Sequence, residues 1–101
     1  MSMNDPSGFF LPPFKPEAAL LTLKRGLRDL GLVEREGRFE RRGRVIARAA
    51  VDGALLHAAC VKRPSRTSPE WTEKPLRSAA DVRDFIADLK KQLAQWSDRD
   101  D

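Results

Sequence analysis

The spacing of hydrophobic positions changes period twice along this chain. Leu20, Leu23, Leu27 and Leu30 recur at steps of three or four, which makes one apolar stripe on an α-helix. Pro16 suits the first helical position, and Glu17 lies near the positive end of the helix dipole. Gly31 is placed to end the helix in the left-handed conformation, with Leu32 or Val33 folding back behind it. A second helical face is formed by Val82, Phe85, Ile86, Leu89, Leu93 and Trp96, with Asp84, Asp88, Lys91 and Gln95 off it. Ser78 is its expected cap, and Asp81 sits where a capping-box carboxylate reaches back.

Between these helices, Arg38 to Lys62 reads as three antiparallel strands. Asp52-Gly53 is a preferred pair for a two-residue type I′ turn. That turn pairs Val51 with Ala54, Ala49 with Leu56, Ala47 with Ala58 and Val45 with Cys60, all on one face without a polar side chain. The reverse face then carries Arg48 opposite His57, flanked by Ile46, Ala50, Leu55 and Ala59. The turn before it fits a three-residue loop, Arg41-Arg42-Gly43, which sets Phe39 opposite Val45 on the apolar face. A two-residue loop at Arg42-Gly43 would put Phe39 opposite Ile46 on the outer face, so the three-residue loop is preferred.

Residues 63–70 are rich in turn formers and read as a loop. Trp71–Leu76 is a candidate fourth strand, which Pro75 confines to the sheet edge because it lacks a backbone donor. The expected fold class is α+β: a two-layer domain with an antiparallel sheet of three to four strands packed against two amphipathic helices, in the order α-β-β-β-(β)-α. Residues 1–15 form a leader, flexible or docked, because prolines break it while Phe9, Phe10, Leu11 and Phe14 give it something to bury. The domain then spans 16–97, and 98–101 is a frayed polar end.

At 101 residues the chain makes one domain with a modest core. Cys60 is the only cysteine, which excludes an intramolecular disulfide and a multi-cysteine zinc site. No apolar run approaches the roughly 20 residues of a membrane span, and the N-terminus lacks the basic start of a secretory signal. The expectation is a cytoplasmic protein that does not engage a membrane. Nineteen basic against 15 acidic residues leave a net charge of +4, enough to attract polyanions.

Candidate chemistry is sparse. His57 is the only histidine, and local sequence places no carboxylate to orient it. Cys60 falls on the core face and behaves as a small hydrophobe. Gly26, Gly31, Gly37, Gly43 and Gly53 are spaced singly, which excludes phosphate-loop and dinucleotide motifs, and no cofactor is expected. Asp81, Asp84 and Asp88 share a helix flank but have no converging ligand, so they read as solvated surface and not as a metal site.

The basic residues carry more. Arg38, Arg41, Arg42 and Arg44 surround one turn, Arg48 lies on the next strand, and Lys62, Arg63 and Arg66 follow the third. At one sheet end they would form a basic rim for the phosphates of a nucleic acid. Ile46, Leu55 and Val61, pointing away from the helices, are candidate contacts for a protein partner or for self-association. The element order resembles double-stranded-RNA-binding domains in topology alone. Their Gly-Pro-x-His loop is replaced here by Arg41-Arg42-Gly43, and their lysine-rich helix start by Ser78-Ala-Ala-Asp81. The strands-then-helix half is also similar to dimeric single-stranded-DNA-binding coactivators. Neither likeness carries a residue role over. The expectation is a small non-enzymatic binding or assembly module, with phosphate-dominated nucleic-acid binding as the alternative.

Overall fold

A computed structural model describes residues 14–65 and 67–99. Residues 1–13, most of the expected leader, lie outside that range, as do Arg66 and residues 100–101. The order is α1 (Pro16–Asp29), β1 (Val33–Arg35), β2 (Arg38–Arg41), β3 (Arg44–Asp52), β4 (Leu55–Val61), β5 (Trp71–Leu76) and α2 (Ala79–Arg99). All strand pairs are antiparallel, and the sheet order follows the chain. The α+β architecture is as expected, with five strands instead of three to four.

The helix ends follow local chemistry. The Gly31 amide donates to the Arg28 carbonyl at 2.9 Å and the Leu32 amide to the Leu27 carbonyl at 3.2 Å. With Gly31 at φ 92, this is a Schellman closure that tucks Leu32 into the core beside Leu27. At α2 the Asp81 amide donates to Ser78 Oγ at 3.1 Å, while the Asp81 carboxylate accepts from the Arg77 amide at 2.9 Å. The box therefore reaches one residue further back than the usual reciprocal pair. α2 continues to Arg99.

The added strand is β1. Arg35 pairs with Arg38 across a two-residue turn in which Glu36 (φ 54) and Gly37 (φ 80) are both left-handed, the type I′ geometry. Arg42 (φ 56) and Gly43 (φ 78) form a second such turn between Arg41 and Arg44, so the loop has two residues, not three. Phe39 nevertheless reaches the core. A β-bulge lets Glu40 face Val45 while Phe39 faces Ala47, leaving Ile46 as the extra residue. The bulge corrects the face that the shorter loop would have lost. It also turns Val45 outward and brings Ile46, only 1% exposed, into the core.

The third turn corrects a second expectation. Asp52 pairs with Leu55, and only Gly53 (φ 61) is left-handed, the pattern of a type II′ turn at Gly53-Ala54. Val51 thus faces Leu56, Ala49 faces Ala58 and Ala47 faces Cys60; Ala50, not Arg48, faces His57. Each pair has moved by two positions in sum, so the same residues share the same faces. That parity preserves the apolar side of the hairpin.

On that side Phe39, Ala47, Leu56, Ala58, Cys60 and Leu76 meet Leu23 and Leu27 of α1 and Val82, Phe85, Leu89 and Leu93 of α2 in one cluster. Phe14, at the end of the leader, packs against its edge. Lys74 Nζ lies 3.5 Å from Asp88, and Arg41 donates to the Leu93 carbonyl at 3.3 Å. These contacts trace α2 across the sheet from β5 to β2. Pro75 sits on the edge strand, opposite His57, where its missing donor costs no ladder bond. No helix among the described residues is long and apolar enough to cross a membrane.

Candidate functional site

Both helices cover one face of the sheet, so chemistry accessible to a large ligand must come from the other. Strand alternation and register determine what stands there. One row crosses all five strands: Arg35, Arg38, Arg48, Ala59 and Glu73 are successive cross-strand partners. The next row holds Ala50, His57 and Pro75.

Glu73 is the group that links them. Its Oε2 accepts from Arg48 Nη2 at 3.2 Å, and its Oε1 lies 3.3 Å from His57 Nε2. The Arg48 guanidinium carbon stands 4.4 Å from the centre of the Trp71 ring, a cation–π stack. Arg48, Glu73 and His57 are each close to half exposed, so solvent screens the ion pairs and they add little to stability. Arg35 has Glu40 at 3.7 Å. Among the described residues, no ion pair or hydrogen bond is made by the Arg38 side chain.

A shallow depression of about 360 Å³ opens on this face. Ala50 and Ala59 contribute to its floor, Arg38, Arg48 and His57 stand around it, and the Glu36-Gly37 turn closes one side. Two short side chains on one diagonal, with Arg48 and His57 on the other, explain the hollow.

The expected basic rim is divided. Arg38 and Arg48 occupy the open face, whereas the residue count through the bulge puts Arg41 and Arg44 on the helix side, where Arg41 bonds α2. Arg42 is exposed at the turn tip, Lys62 and Arg63 are exposed beyond β4, and Arg66 lies outside the described residues. The candidate protein contacts are corrected as well. Ile46 and Val61 are 1% and 0% exposed, because the bulge turns one inward and Trp71 is the cross-strand neighbour of the other. Only Leu55, half-buried, remains at the surface.

Cys60 faces the helices, with its thiol 3.9 Å from Gln92 Oε1. Burial pushes its pKa up, Lys74 opposes that shift and Asp88 adds to it, so the thiol is held in its unreactive form. Asp81 is engaged at the α2 cap and Asp88 with Lys74. No group of three metal-ligating side chains occurs among the described residues. Sequence reasoning missed Glu73 as the partner of Arg48 and His57. The signal available was the edge-strand assignment of Trp71–Leu76, which needed only a register against β4 to align Glu73 with Arg48. The chain matches no protein-family model, no curated protein and no solved structure.

Proposed function

We propose that this chain is a small non-enzymatic binding module whose open sheet face holds an anionic polymer, a nucleic acid engaged through its phosphates. One observation carries the reading: Arg35, Arg38 and Arg48 stand as direct partners on three adjacent strands of the face opposite the helices. Like charges placed opposite each other destabilise a sheet. Glu40 and Glu73 offset the outer two, while Arg38 lies between them without a counter-ion among the described residues. Local rules broken in this way are expected at functional sites, where the ligand supplies the missing charge. Arg42, Lys62 and Arg63 extend the positive field beyond the row.

Assembly through the reverse face loses its support with the burial of Ile46 and Val61. Acid–base catalysis would have the oriented pair His57–Glu73 but no nucleophile beside it among the described residues, since Cys60 faces the other side. A cytoplasmic location belongs to the reading and agrees with a buried free thiol. The test is titration of labelled single- and double-stranded oligonucleotides at low and moderate salt. Binding should weaken with salt, and Arg35→Gln with Arg38→Gln should reduce the logarithmic salt slope by roughly 1.4–1.8 if each contacts one phosphate. No binding by the wild type at low salt refutes the proposal.

A further inference from the structure

We infer that the depression over Ala50 seats one unpaired nucleotide of a single strand, its base on the alanine floor and its phosphate at Arg38. This inference rests on the nucleic-acid reading and makes it specific. Three features converge on it. The floor is apolar, because exposed Ala50 and buried Ala59 carry only methyl groups between the taller Arg48 and His57. The depression's volume of about 360 Å³ lies at the low end of the roughly 300–1,000 Å³ typical of small-ligand sites. Its walls carry the polarity that a nucleotide needs: Arg38, without a counter-ion among the described residues, for the phosphate, and His57, held by Glu73 behind it, for the base edge.

Arg48 adds a planar platform. Its guanidinium is stacked on Trp71, and Glu73 binds it at its edge, so it is fixed in orientation beside the floor. Fixed guanidinium planes and aromatic rings are the surfaces on which unpaired bases stack. Glu36 is the acidic residue on the wall, and the ligand phosphate must lie toward Arg38 and away from it. A base paired within a duplex cannot lie flat on this floor, so the site selects single strands.

The experiment compares short fluorescent oligonucleotides with the same sugar–phosphate chain lacking all bases, and with the corresponding duplex, on full-length protein. Ala50→Leu serves as the filling variant, since Ala50 is exposed and a larger side chain there is compatible with a strand; a thermal melt verifies its fold. The wild type should bind the base-bearing single strand roughly 5- to 150-fold more tightly than the abasic chain. Ala50→Leu should erase that ratio and leave abasic binding unchanged. Equal, salt-dependent binding of both chains, or duplex binding as tight as single-strand binding, overturns the seat and leaves phosphate binding intact. A base preference that survives Ala50→Leu also overturns it. No binding of any chain at low salt overturns this inference together with the reading beneath it.

Discussion

Gly26 of α1 lies against Ile86 of α2, and this contact gives a double-mutant test with a calculable sign. A Cβ built at Gly26 would stand 2.5 Å from Ile86 Cδ1, 3.3 Å from Cγ1 and 3.6 Å from Cγ2. Carbon atoms are most comfortable at about 3.5–4.0 Å, so the first contact is a clash, the second is tight and the third is ordinary. Gly26→Ala gains about 1 kcal/mol of helix propensity but incurs roughly 1–3 kcal/mol of overpacking. The single change should therefore be neutral or destabilising by up to about 2 kcal/mol. Rotation of the terminal methyl sets the lower limit. Ile86→Val removes the clashing atom and costs about 0.5–1.5 kcal/mol by itself. In that background Gly26→Ala should recover nearly its full propensity gain, giving a favourable coupling of about 1–3 kcal/mol. Urea denaturation of the four proteins, with midpoints and slopes compared, measures it. Additivity to within about 0.3–0.5 kcal/mol would show that these side chains do not meet, and the placement of α2 against α1 would be wrong.

Other consequences are simpler. Leu89→Ala or Leu27→Ala, both essentially unexposed, should cost about 2–5 kcal/mol, and losses below about 0.5 kcal/mol in denaturation would contradict the core. Ser78→Ala should cost about 0.5–2 kcal/mol by freeing the Asp81 amide, read as a lowered melting temperature. Arg42→Asn should stabilise the protein, because Asn tolerates the left-handed φ of 56 that Arg adopts at a cost; a lower melting temperature would argue against the I′ turn. The raised pKa of Cys60 has a definite sign. Its contribution is fully retained below the unfolded-state value of about 8.5, and stability falls as pH rises from there through the folded-state value, because only the unfolded thiol ionises readily. Cys60→Ala should remove that component of the alkaline loss, and identical pH–stability curves would contradict it.

The two helices were legible because their signals are local: Pro16 and Gly31 bound one, Ser78 and Asp81 open the other, and the periodicity runs between. The apolar face of the β3–β4 hairpin was legible too, since its membership depends on parity and not on turn type. Three features escaped for separate reasons. Val33-Glu34-Arg35 is short and polar, and its strand is recognisable only through the left-handed Glu36-Gly37 turn beside it. The bulge at Ile46 arises from two demands that conflict locally, a tight Arg42-Gly43 turn and an inward Phe39, so neither alone reveals it. Glu73 joins Arg48 from 25 positions away, across a loop whose length says nothing about register. The site was therefore less legible than the fold, because its pieces meet only across strands.

The bulge also has a consequence for how this chain can change length. Ile46 has no partner of its own on β2, and the pairs on either side of it, Glu40 with Val45 and Phe39 with Ala47, have the same facing they would have in an unbroken ladder. A chain lacking this one residue could therefore keep every cross-strand neighbour, from Arg41-Arg44 through Arg38-Arg48, and with them the arginine row. It would forfeit the burial of one Ile side chain, about 1.5–3 kcal/mol, and some local twist, but no topology. Insertions and deletions are ordinarily tolerated in loops. Here the position most permissive of a single-residue gap lies inside a nine-residue strand. Diverged sequences of the same fold would then align with a gap in the middle of β3 and none at its turns.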